Sequence, residues 1–461
     1  MGAVCLGLGV LGSLPARSQG LVEIYQQAVV QDPLFAVARK TLQAALEKLP
    51  QARAGLLPSV NLSGTDYRQS GETSFSYDPF VERSLKSWSW TVQLTQPLLR
   101  LGNWQNYWQA DAQVDQAKAQ FLFAEQELIF RTAQAYFDVV FAQESLRVAQ
   151  AQQQALQEQQ VLAQRNYQVG TGTVTDVHEA RARRAQSQAQ HVAARNELAY
   201  RQAELARLTG AVSGELAPLR LIDTLPALTH ELLDAWLDLA ATHNPQIRIQ
   251  EAALAVARKE VDKSQAQHLP TLDLVLSRQA NFSSGSLSSP ADLATRVHQQ
   301  QVGVQLTVPL YSGGSTQSRV REMLALQDKA GEELRQAQRL VASQVRQTHA
   351  GVLNGQAQVE ALQEAAQAAQ EAVEANKIGF RIGTRINPDV LNAEQQLYIT
   401  LRDLTRARID TIMQGLKLKA AAGRLEPNDL TALARLVEPL PQLAVEPSTQ
   451  LAQSFNVKTP D

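Results

Sequence analysis

Two hydrophobic periods alternate along the chain. "SWSWTVQLTQP", from Ser87, places Trp88, Trp90, Val92 and Leu94 on one face, with Ser87, Ser89, Thr91, Gln93 and Thr95 on the other. The same period of two returns downstream, where Val302, Val304, Leu306 and Val308 oppose Gly303, Gln305 and Thr307. "LPSVNLSG" and "LPTLDLVLSR" supply partner strands. The pattern predicts strands over about 58–68, 87–97, 270–282 and 298–309. Segments of about ten residues, apolar on one side and small-polar on the other, suit a barrel in an outer membrane. One such strand alone fits an amphipathic sheet packed on helices equally well. "RQSGETSFSYDPFVERS" and "NFSSGSLSSPADLATR" are polar and predict long outward loops.

The remaining pattern is helical. No Gly or Pro occurs between Gly102 and Gly170, which predicts a helix over about 100–168, about 100 Å long. A shorter helix follows over about 175–209, about 50 Å long. The order recurs, with helices over about 315–381 and 388–422. Gly331, Gly351 and Gly355 predict a bend in the second long helix. Helical stretches with an Asp-Pro or Asn-Pro interruption precede each pair of strands.

That recurrence is a duplication. "QDPLFAVARKTLQAALEKLPQARAGLLPSVNLSG" from Gln31 matches "HNPQIRIQEAALAVARKEVDKSQAQHLPTLDLVL" from His243. Pro33 pairs with Pro245, Pro58 with Pro270, Pro97 with Pro309, Gly170 with Gly383, Asp176 with Asp389 and Gly210 with Gly423. The register slips by one residue over the whole chain. The organisation read from it is a signal segment over 1–18, a first repeat over 19–212, a second over 213–424 and a tail over 425–461, read as an irregular periplasmic segment. Four strands cannot close a barrel, for which about eight is the minimum. An open sheet in lipid would leave unpaired edges, so several protomers must pool their strands.

Composition narrows the class. The chain has 461 residues, a net charge of -2 and 44% hydrophobic residues, which favours neither nucleic acid nor disorder. Val4 to Leu14 is an apolar run followed by small residues, with Ala16 and Ser18 placed as a signal-peptidase site. The single cysteine, Cys5, lies in that segment and is badly placed for a lipid anchor, so a mature chain has no disulfide. No later run reaches the roughly 18 apolar residues of a membrane-spanning helix.

Candidate chemistry concentrates at two turns, "YQVGTGTVTDV" from Tyr167 and "FRIGTRINPDV" from Phe380. Gly170 and Gly383 are suited to left-handed helix ends. Asn387 as N-cap with Pro388 and Asp389 starts one helix, and Thr175 with Asp176 starts the other.

With these turns, the paired "LLPSVNL"/"HLPTLDL" and "LTQPLL"/"LTVPLY" segments and "TAQAYFDVVFAQE", the chain resembles the TolC family of outer-membrane efflux proteins from about Gly20 to Arg424. The resemblance implies a mainly α fold with a membrane β-barrel. In it a homotrimer shares a twelve-stranded barrel, four strands per protomer, continued by a periplasmic α-helical barrel. It implies an exit duct for small toxic compounds or unfolded proteins, without catalysis, cofactor or metal. Its partners would be a periplasmic adaptor and an inner-membrane pump or ABC transporter. Asp389 would project inward in a ring of three carboxylates, and Asn392 stands where a second acid is usual, so cation selectivity is weakened. Arg385 would lock the second hairpin to the first through Asp176 and Thr175. Phe380 replaces a frequent tyrosine and cannot hydrogen-bond. Val169, Gly170 and Thr171, with Ile382, Gly383 and Thr384, are the turns that would meet the adaptor.

The other features carry less. The seven histidines have no metal-ligand spacing, and His178 reads as a solvated helix position. "ARARR", Ala180 to Arg184, reads as a solvated helix face. A periplasmic coiled-coil protein would fit the helices but has no use for a lipid-facing band, and an envelope enzyme lacks a site constellation.

Overall fold

The computed structural model describes residues 20–76, 78–210, 219–221, 232–435 and 437–439. The expected signal segment lies outside them. The first repeat opens with α1 (Leu21–Gln31), α2 (Pro33–Leu46) and α3 (Lys48–Ala54), and continues as β1 (Ser59–Thr73), β2 (Val81–Leu99), α4 (Leu101–Gln168) and α5 (Val174–Thr209). After β3 (Leu219–Leu221), the second runs through α6 (Leu233–His243), α7 (Pro245–Gln265), β4 (Thr271–Ser283), β5 (Thr295–Thr307), α8 (Ser315–Arg381) and α9 (Asn387–Ala421). Helix α10 (Pro427–Ala434) and β6 (Val437–Pro439) end the described chain.

The four long strands form one antiparallel sheet in the order β1-β2-β4-β5. Register aligns Val60, Leu94, Leu276 and Val302 across it, and Leu62 with Val92. Residues paired in register share a face, so the apolar positions of all four strands make one continuous band. The opposite face carries Ser63, Thr91, Gln93, Ser277, Gln301 and Gln305. Val308 lies one residue past the end of β5. The stretches expected as loops are shorter than their polarity suggested, because β1 runs on to Thr73 and β2 begins at Val81. The sheet is joined to the helices by a bidentate pair. Arg100, just before α4, donates to both oxygens of Asp273 on β4 at 2.8 and 2.6 Å.

Below the sheet the helices pair as coiled coils, α4 with α5 and α8 with α9. Val345, Val352, Val359, Ala366 and Val373 are buried on α8, and Val390, Leu397, Leu404, Thr411 and Leu418 on α9. Both sets recur every seventh residue, the seam of a left-handed coiled coil. Helix α8 is one unbroken helix from Ser315 to Arg381. Two of its glycines serve close approach. A Cβ on Gly355 would lie 2.5 Å from the Thr411 hydroxyl, and one on Gly351 3.2 Å from Gln414, both residues on α9.

The main core sits midway along the helices. Leu21, Ile24, Leu128, Ile129, Phe137, Leu205 and Ile409 are fully buried there. The tail, expected to be irregular, contributes to this core, so that expectation is corrected over its first ten residues. Helix α10 begins after Glu426, whose N–H donates to Asp429 at 3.0 Å, and Leu430 is 0% exposed. Pro427 at the helix start and the apolar spacing of Leu425, Leu430 and Leu433 are the physical reasons.

The duplicated Asp-Pro and Asn-Pro junctions show why the copies differ. Asp32 caps α2 by accepting from the Phe35 N–H at 3.1 Å, and also accepts from Arg131 at 2.7 Å. Asn244 caps α7 by accepting from Gln246 and Ile247, and its amide donates to the Ala421 carbonyl at 2.7 Å. One site needs an acceptor and the other a donor. Asn244→Asp is therefore expected to cost roughly 3 kcal/mol, since it buries a carboxylate against a carbonyl. Asp32→Asn is expected to cost about 1 kcal/mol. Denaturant midpoints of the two variants check the asymmetry.

Candidate functional site

The two hairpin tips are built alike. In the first, the Thr171 N–H donates to Asn166 O at 2.9 Å and the Gly170 N–H to Tyr167 O at 3.1 Å. In the second, Thr384 donates to Gly379 O at 2.9 Å and Gly383 to Phe380 O at 3.2 Å. Both are Schellman ends, which need a left-handed residue after the helix. Gly170 has φ 78° and Gly383 φ 79°. Val169 and Ile382 cap the tips at 72% and 69% exposure.

The helices that leave the tips start one or two residues earlier than expected. Thr173, not Thr175, is the N-cap of α5. Its hydroxyl accepts from the Asp176 N–H at 3.2 Å, while the Asp176 carboxylate accepts from the Thr173 N–H at 2.9 Å. This reciprocal box requires an acid three residues after the cap. Thr175 is exposed in the first turn. Helix α9 likewise begins at Asn387, so Ile386 rather than Asn387 holds the cap position. The Ile386 N–H donates to Asp389 at 3.4 Å.

A cleft of about 520 Å³ separates the tips, with Asp176, Phe380 and Arg385 among its lining. The expected Arg385–Asp176 link does not form within the protomer. Asp176 is held by Thr173, and Arg385 lies 3.9 Å from Asp389. The reason is local: Gly379 has no side chain, and the Arg385 stem folds into the space it leaves.

Near the tips, a residue that the sequence reading set aside as solvated hydrogen-bonds across from the first hairpin to the second. Arg183 on α5 donates to Asn392 at 2.8 Å and to Gln395 at 2.6 Å, both on α9. Its neighbour Arg184 donates to Gln160 on α4 at 3.1 Å. Ala180 is fully buried, so the "ARARR" run faces neighbouring helices as well as solvent. A charge run on a helix gives no hint of this, because the partners of Arg183 on α9 are carboxamides more than 200 residues away. His178 is exposed.

Close by, Lys377 lies 3.0 Å from Glu394, whose side chain is 6% exposed. Burial by itself would lower the Lys377 pKa, but the hydrogen bond and charge of Glu394 outweigh it and hold the ammonium above its usual range. Burial, then the Glu394 charge, raises the Tyr398 pKa. Among the described residues no group of His, Cys, Asp or Glu could hold a metal ion. No helix among them is long and apolar enough to cross a membrane.

A membrane-type sheet on long paired helices thus meets a tip of polar links. The model of the family described as outer membrane efflux protein matches residues 24–211 and 236–424, one segment per repeat. The chain belongs to that family. Outer membrane efflux proteins are transport channels of the outer membrane that extend into the periplasm. The protease secretion protein PrtF of Dickeya chrysanthemi is 32% identical, over 92% of this chain and 93% of its own. The outer membrane protein TolC of Escherichia coli K12 is 30% identical, over 93% of this chain and 87% of its own. Among solved structures, the outer-membrane channel OprN shares the fold with a TM-score of 0.72 at 21% identity, covering 87% of this chain and 89% of that one.

Proposed function

We propose that three copies of this chain assemble into a continuous exit duct. The carrying observation is the open four-stranded sheet with a single apolar face. Such a sheet leaves two edges unpaired, which lipid does not tolerate. Three copies would give twelve strands, beyond the minimum of about eight for closure. The paired helices of each copy would continue the wall through the periplasm as a tunnel about 100 Å long.

The cargo reading is type I secretion of unfolded protein, supported by relatives named for the secretion of proteases in Dickeya chrysanthemi and Pseudomonas aeruginosa. Efflux of small toxic compounds is the second reading, favoured by the family description. In either case an inner-membrane pump or ABC transporter would feed the duct, and a periplasmic adaptor would seat on the exposed Val169–Thr171 and Ile382–Thr384 turns. Glycine at each turn lets a partner backbone approach closely.

The tips form the gate in this reading. Asp389 lines it as a ring of carboxylates, and Asn392 is neutral and occupied by Arg183. The Arg183 clasp then does the work expected of Arg385, holding α9 against α5 in the closed state. Single-channel recording in a planar lipid bilayer tests duct and gate together. The wild type should give small cation-selective steps, and Arg183→Gln should give larger or longer openings. A wild type that inserts yet never conducts would sink the duct, and steps unchanged by Arg183→Gln would sink the clasp.

A further inference from the structure

The apolar sheet face ends abruptly on β4 and β5. From the helix end it reads Leu272, Leu274 and Leu276 on β4, opposite Leu306, Val304 and Val302 on β5. The next pairs on the same face are Arg278 with Gln300, Ala280 with His298 and Phe282 with Arg296. Beyond them lies the hairpin farthest from the helices, the outer end in a channel that extends into the periplasm. The opposite, polar face is the one over which that hairpin folds. Arg83 on that face donates to the carbonyls of Ser286 and Ser289 at 2.7 Å each. The basic residues therefore stand on the lipid side.

Their level is marked by the neighbouring strand. Trp88 pairs with Phe282 and Trp90 with Ala280. Indole rings are at home where lipid tails give way to headgroups. No carboxylate occupies this face of β4 or β5. Within one copy the nearest in register is Asp66 on β1, opposite Trp88. Arg278 and His298 are exposed and make no hydrogen bond or ion pair with any described residue. The Arg296 guanidinium rests 5.7 Å from the centre of the Phe282 ring, which orients it without neutralising it. An arginine directly above a leucine band is costly in hydrocarbon unless it reaches an anion at the interface.

We infer that Arg278, Arg296 and His298, with Gln300, form a binding site for the phosphorylated headgroup of an outer-leaflet glycolipid. Guanidinium forks match phosphate oxygens bidentately, which a plain interfacial charge does not. Arg278 and Arg296 lie four residues apart along the ladder, about 13 Å. Their long side chains can converge on one phosphate or hold two on the same sugar headgroup. The acyl chains would then lie along Leu276, Val302 and Val304 below.

The test uses the full chain reconstituted in phosphatidylcholine nanodiscs. These carry either bisphosphorylated lipid A or the same lipid with its phosphates removed, and retained lipid is counted by native mass spectrometry. The wild type should retain the phosphorylated form about tenfold better. Arg278→Gln with Arg296→Gln should abolish that preference, while Arg278→Lys should keep part of it. Equal retention of the two lipids by the wild type overturns the proposal, whatever the variants do. So does a double variant that keeps the preference. Because the wild-type comparison stands alone, a variant that fails to insert does not rescue the idea.

Discussion

Replacing Gly423 with alanine should leave little folded protein in the outer membrane, while the same change at Gly210 should be tolerated. The two glycines occupy equivalent places in the repeats, both with φ 69°. An L-residue there costs roughly 1–2 kcal/mol in either copy. The surroundings separate them. A Cβ on Gly423 would lie 2.5 Å from the carbonyl carbon of His243 and 2.8 Å from the Asn244 nitrogen, both backbone atoms. On Gly210 it would meet only Gln31 side-chain atoms, at 3.2 Å or more, which a shift of a few tenths of an ångström relieves. The expected total is at least about 3 kcal/mol for Gly423→Ala. Immunoblots of outer-membrane fractions and denaturant midpoints measure the difference. Equal loss in both variants would refute the assignment of the cost to the α6–α7 junction.

Asp389→Ala should bring the cation preference of the open duct close to unity, and Arg385→Ser should raise it. The carboxylate is about one-third exposed and Arg385 lies 3.9 Å from it. At that distance and exposure the pair is weak, so the arginine partly screens the ring without cancelling it. Reversal potentials under a salt gradient decide. Two variants shifting in the same direction would mean that Asp389 serves only as the acceptor for the Ile386 N–H. High salt should shrink both shifts, as for any exposed charge.

Most of the architecture was legible because it depends on period and punctuation. Two-residue alternation marked the strands, and the glycine-free run after Gly102 marked α4. The Pro and Gly pairs fixed the duplication, which supplied each weak signal twice. What was not legible depends on contacts between distant segments. Asp32 and Asn244 read only as matching interruptions before a proline, and only Arg131 and the Ala421 carbonyl separate them. The close approach at Gly351 and Gly355 was hidden because the sequence does not reveal Gln414 and Thr411 across the seam. Arg183 lay hidden in a basic run whose partners, Asn392 and Gln395, are uncharged. The seven-residue spacing on α8 was readable in principle, but alanine and valine seams stand out less than leucine ones. Of the tip residues, Asp176, Phe380 and Arg385 share one cleft, yet the bonds among them differ from the expected lock.

The seven-residue seams have a mechanical consequence. A strict period of seven winds paired helices about each other, with a pitch of about 150 Å. From Val345 to Val373 the seam covers about 42 Å, so the pair turns through roughly a quarter of a revolution. A load applied along such a pair at its tip arrives at the other end partly as torque. Helix α8 follows β5 directly in the chain, so that torque enters the sheet at the end of β5. The chain is thus built less like a pipe on a post than like a screw thread, and grip at one end is felt as rotation at the other.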